Sequence, residues 1–189
     1  DRMTGLLLAD DQVGPERDVV LEERRMRTDS DPSQQLSEAM QSALYAHHPY
    51  GLPIIGWEHE IASLDRQDAL AYYRRFYTPE NAALVVAGDV DADEVRALAR
   101  ETYGKIPARG ARPQRLRPQE PPLRAHRLVS LADDKVEQPA VTKIYIVPSA
   151  RTGAPGEAEA LDVLAHLIGG GPTSLLYRRL VMDEKSAVA

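Results

Sequence analysis

Glu16 and Glu23 are the residues of this chain whose types and spacing point most directly to chemistry. They stand in the stretch Pro15-Glu16-Arg17-Asp18-Val19-Val20-Leu21-Glu22-Glu23-Arg24-Arg25-Met26-Arg27. At about 100° per residue, seven positions put both carboxylates on one face of a helix, two turns apart. Val19 and Val20 fall between them on roughly the same side. A carboxylate pair beside an apolar strip can offer a metal ligand and a second acid that orients it. The same spacing describes a solvated Glu/Arg-rich helix with i,i+4 pairs, and on spacing alone that is the commoner arrangement.

The remaining polar clusters carry less. His47 and His48 are adjacent, so they project differently, and no third ligand stands at a recognisable distance. Glu58-His59-Glu60 has the composition of an acid/base cluster but reads as a solvated loop. Gly169 to Ser174 has no lysine placed for a phosphate-binding loop, so it reads as a helix–helix turn whose Ser or Thr caps the next helix. Arg109, Arg112, Arg115 and Arg117 are interspersed with prolines in a net acidic chain, which favours a solvated hinge over a nucleic-acid surface.

Composition bounds these readings. The chain has 189 residues, 43% hydrophobic and 28% charged, ordinary proportions for a soluble globular protein. Its formal charge of −6 shows no basic footprint for nucleic acid, and no apolar run approaches the roughly 18 residues of a membrane span. There is no cysteine, hence no disulfide, thiolate ligand or cysteine nucleophile. No signal peptide and no initiating Met open the chain, so a processed chain or an excised fragment is expected.

The elements that must position the glutamates follow from pattern. After a turn at 10–14, Pro15 suits the first position of a helix running to about Arg27, and Thr28 to Pro32 stops it. A second helix is expected at about 33–46, from the stripe Leu36, Ala39, Met40, Ala43 and Leu44. His47 to Trp57 reads as an ordered loop. Asp65 caps a helix at about 66–77, and Asp91 caps one at about 92–103 that ends at Gly104. Residues 82–87, 126–131 and 140–147 read as strands, and 156–168 and 175–185 as helices. Leu7, Val20, Leu44, Leu84, Val85, Val86, Ile144, Ile146, Leu161 and Leu164 are the expected core. Five prolines and four arginines between 107 and 122 mark a linker. The segregated strands predict an α+β fold, with an antiparallel-rich sheet and helices packed on one side.

Four segments, ERDVVLEERRMRTDSDP, HPYGLPIIGWEHEIASL, YYRRFYTPENAALVVAGDVD and GGGPTSLLYRRL, together resemble the pitrilysin/insulinase family of inverted-motif zinc peptidases, nearest its bacterial members and the mitochondrial processing peptidase. In that family an H-x-x-E-H helix supplies two histidine ligands and a catalytic glutamate, and a distant glutamate completes the site. The resemblance implies that Glu23 is the third zinc ligand and Glu16 the supporting acidic residue. H-x-x-E-H is absent here and is expected upstream of Asp1. The resemblance therefore implies a segment of a zinc metalloendopeptidase that cleaves peptide bonds with metal-activated water, inactive and without bound zinc as this chain alone. The alternative is a non-catalytic partner or scaffold subunit. It implies domains at 1–106 (the later part of the zinc-site domain) and 124–189 (the start of a second domain of the same fold), joined by a linker at 107–123. Its implied partners are a peptide or unfolded polypeptide substrate and either a second copy or a related subunit, in a bacterial periplasm or cytoplasm.

Overall fold

The computed structural model describes residues 3–110, 112 and 114–188. Residues up to Glu137 form one unit, and those from Gln138 a second. In the first unit α1 (Asp10–Arg24) runs into a π-helical turn, Arg25–Asp29. There follow α2 (Pro32–Leu44), α3 (Glu58–Ser63), α4 (Arg66–Phe76) and α5 (Ala92–Glu101). The second unit holds α6 (Glu157–Gly169) and a π-helical segment, Tyr177–Asp183.

Local chemistry accounts for most helix ends. The Asp31 carboxylate accepts from Ser33 N–H at 2.8 Å to start α2. At α4, Asp65 Oδ1 accepts from Gln67 and Asp68 N–H at 2.7 and 3.0 Å, while Asp68 Oδ2 accepts from Asp65 N–H at 3.1 Å. Asp91 accepts from Asp93 and Glu94 N–H, both at 2.9 Å, to start α5. Ser174 Oγ accepts from Tyr177 N–H at 3.3 Å, the capping expected of the glycine-rich turn.

Several boundaries differ from expectation. The first helix begins at Asp10, so Pro15 lies inside it and not at its first position. Ala9 and Gln12 close that end instead: Gln12 Oε1 accepts from Ala9 N–H at 3.0 Å. Glu58-His59-Glu60 opens α3 and is not loop. Gly104 lies in a single 3₁₀ turn beyond α5, and 177–183 is π-helical where an α-helix was expected.

The larger correction concerns the sheet. No strand or ladder forms among the described residues, so the expected antiparallel-rich sheet is absent and the described structure is helical. Residues 82–87 and 140–147 lie open to solvent, with Val85 84% and Val141 88% exposed. None of the expected core residues is buried. A helix satisfies its own backbone, whereas a strand needs N–H and C=O groups from a second strand, and here these runs have none.

In the first unit α1 packs on α3 and on its own π turn. Ile61 of α3 is 4% exposed and Tyr73 of α4 9%. Arg66 at the start of α4 donates to Leu8 O at 2.6 Å, and Arg17 donates to Leu64 O at 3.2 Å, so the turn from α3 into α4 is tied to α1 and to the residue stretch just before it. Further along, Glu120 accepts from the N–H groups of Ala46, His47 and His48 at 2.7, 2.9 and 2.8 Å. Arg127 donates to the Ala43 and Leu44 carbonyls at the end of α2.

Candidate functional site

The two glutamates keep their helical relation but not equal surroundings. Glu16 is exposed and makes no ion pair among the described residues. Glu23, in the last turn of α1, pairs with Arg27 at 3.0 Å. It lines an open cavity of about 530 Å³ between the end of α1, α2 and the loop at 51–55, together with Arg27, Glu38, Gln41, Leu52 and Ile54. An exposed i,i+4 pair of this kind contributes about 0.3–0.5 kcal/mol, so releasing Glu23 from Arg27 is easy compared with what a metal bond returns.

Directly after Glu23 the helix widens. Ser30 N–H bonds to Arg25 O at 3.0 Å, five residues back, which defines the π turn. Such turns are uncommon and concentrate at functional positions. Beside it lies a feature the sequence reading missed, Arg24, which is 6% exposed. Its guanidinium donates to Glu38 Oε2 and Oε1 at 2.9 and 2.8 Å and to Gly56 O at 2.8 Å, and stands 3.2 Å from Asp29. Its Nε is buried without a partner among the described residues. Hydrogen bonding to Glu38, opposed by burial and supported by the nearby carboxylates, raises the Arg24 pKa further above its ordinary value. No spacing rule flags this residue, because its partners lie 14 and 32 positions away.

The histidines do not join the glutamates. His48 Nδ1 accepts from Tyr50 N–H at 3.1 Å, and its ring stands edge-on to Tyr50 at 4.4 Å and beside Tyr45 at 5.7 Å. That makes His48-Pro49-Tyr50-Gly51 a structural loop, closed by a 3₁₀ turn. His47, His59, His126 and His166 are exposed. Among the described residues no three His, Cys, Asp or Glu side chains gather to hold a metal ion. Glu23 is a single oxygen donor group, and a catalytic zinc takes three protein ligands, so the donors present do not fit a zinc site by themselves.

The chain as a whole has relatives among known proteins. The chain belongs to the zinc-peptidase family whose model, Peptidase M16 inactive domain, matches residues 63–188. That match begins after the Glu16–Glu23 helix. Relatives include an uncharacterized zinc protease of Mycobacterium tuberculosis, 36% identical over 94% of this chain and 40% of its own length. Zinc protease PqqE of Helicobacter pylori is 31% identical over 99% of this chain and 42% of its own. Among solved structures, a protease from Helicobacter pylori aligns with a TM-score of 0.71 and 29% identity, over 99% of this chain and 45% of that one. The periplasmic protease PqqL from Escherichia coli aligns with a TM-score of 0.54 and 28% identity, over 62% of this chain and 13% of that one. The chain thus spans about two fifths of the length of the curated relatives it matches. It is a segment of a zinc-metallopeptidase-family protein, as its four motif segments imply.

Proposed function

We propose that this chain is the part of a zinc metalloendopeptidase that contributes Glu23 as a carboxylate ligand and Glu16 as the acidic residue supporting it. The observation that carries the reading is the position of Glu23, on the wall of an open cavity at a helix end held by the buried Arg24. The names of the relatives support zinc as the metal. One carboxylate does not suffice, so the whole protein would supply the histidines and the catalytic glutamate, and no reaction step belongs to this chain alone. The substrate would be a peptide or unfolded polypeptide, taken up by a homo-oligomer or with a related subunit. Residues 1–106 would be the later part of the zinc-site domain, 107–123 the linker and 124–189 the start of a second domain. A periplasmic home draws support from the description of one solved relative.

The test is metal analysis and turnover of the full-length protein. Glu23→Gln is expected to lose zinc and activity together. Glu16→Gln is expected to lose activity while keeping most of its metal. Full turnover in Glu23→Gln would remove the ligand assignment. A second reading, a non-catalytic subunit of the same family, draws support from the Glu23–Arg27 pair, which occupies the carboxylate. Finding no H-x-x-E-H anywhere in the whole protein would select it.

A further inference from the structure

Arg24 takes no part in the proposed ligand set, yet it is the charged residue most withdrawn from water among those described. Its partners share a pattern. Asp29 ends the π turn that continues α1, Glu38 is on α2, and Gly56 closes the loop that begins at Gly51. Those three segments are the walls of the cavity that Glu23 lines. One planar cation therefore bonds to all three walls from behind, with its two terminal nitrogens divided between a carboxylate fork and a backbone carbonyl. Gly56 has φ +93°, a conformation suited to glycine, and this turns its carbonyl into position for the bond. Removing Arg24 takes the cation from the largely buried Glu38 carboxylate and the donor from the Gly56 carbonyl at once, so the three walls are coupled through this side chain.

We propose that Arg24 is a positioning residue: through Glu38, Asp29 and the Gly56 carbonyl it holds the three walls of the Glu23 cavity together, and so sets the opening offered to a peptide it never touches. The peptide in this statement rests on the peptidase reading, whereas the coupling of the walls rests on geometry alone.

The experiment uses the full-length protein with Arg24→Gln, Arg24→Lys, Glu38→Gln and, as a control, Glu23→Gln. Hydrogen exchange is followed at residues 25–31, 35–41 and 52–57, and kcat and KM are measured on an unstructured reporter peptide. In Arg24→Gln, exchange is expected to quicken in all three segments together, and KM to rise about tenfold with a smaller change in kcat. Lysine keeps the charge but not the planar fork, so Arg24→Lys is expected to restore less than half of the lost protection. Quickening confined to the residues beside position 24, or an unchanged KM with the walls loosened, would overturn the proposal. Full rescue by lysine would also overturn it, since charge alone would then suffice. If Arg24→Gln does not fold, Glu38→Gln is read instead: exchange is expected to quicken at 25–31 and 35–41 and less at 52–57, where the Gly56 contact is kept, and no change at 25–31 would overturn the proposal. If Glu23→Gln retains turnover, the peptidase-site reading has failed, and the exchange pattern decides the coupling by itself.

Discussion

Glu23 is the last acidic residue before α1 loosens into its π turn, and its neighbours in sequence face opposite demands. Glu22 and Arg25 pair at 2.7 Å on the solvent side, while Arg24 between them is drawn inward. A run of like-looking charges therefore splits into a surface pair, a cavity carboxylate and a buried cation. Glu120 offers a second test at this scale. Withdrawal from water pushes its carboxyl up, and the N–H donors of Ala46, His48 and His47 with Arg127 outweigh that, leaving it below the ordinary 4.5. A carboxyl with a depressed folded value contributes fully above its unfolded value and loses that contribution as pH falls through the folded one. The amide protons of residues 46–48 are thus expected to titrate together with a midpoint below 4.5, and to show no such step in Glu120→Gln. A midpoint at or above the ordinary value would show that the three contacts do not hold in solution.

At the scale of elements, the helices that match their sequence signals best are those whose ends are closed by side chains. Asp65 and Asp68 satisfy each other's backbone donors, and α4 starts where the pair predicts. Asp65→Ala is expected to lower the stability of the first unit by about 1 kcal/mol, read as a lower midpoint in urea, because two N–H groups lose their acceptor. A change within error would mean that water replaces the cap at no cost. Pro15 misled at the opposite end, since proline is favoured at the first helical position yet tolerated here five residues further in. Gln12, closing back on Ala9, was the stronger local signal, and it lies outside the usual Ser/Thr/Asp set.

For the whole molecule the deciding quantity is exposed apolar surface. Leu84, Val85 and Val86 are all exposed, as are Val141, Ile144 and Ile146, and contiguous runs of this kind invite association. The isolated chain is expected to associate as its concentration rises, seen as a growing mean mass in light scattering. A monomer that persists at high concentration would show that these runs are covered in solution. No helix among the described residues is long and apolar enough to cross a membrane, so the apolar surface is not that of a helical span.

The sequence by itself determined the family, through four motif segments in order, and most of the helices, because caps such as Asp65 and Asp91 act on donors two and three residues away. It also determined that Glu16 and Glu23 share a face, since seven positions along one helix fix that relation. Only the tertiary structure decided what those residues meet. Arg24 became the buried hub because Glu38 and Gly56 approach it from elsewhere in the chain. Residues 82–87 and 140–147 have strand-like sequences but no ladder, because strand pairing depends on a second segment brought alongside, which no local pattern supplies. The same reasoning bears on the opening glutamate pair. Spacing puts Glu23 on one face with Glu16, the family resemblance alone suggests it as a ligand, and geometry adds a cavity wall and a cation behind it.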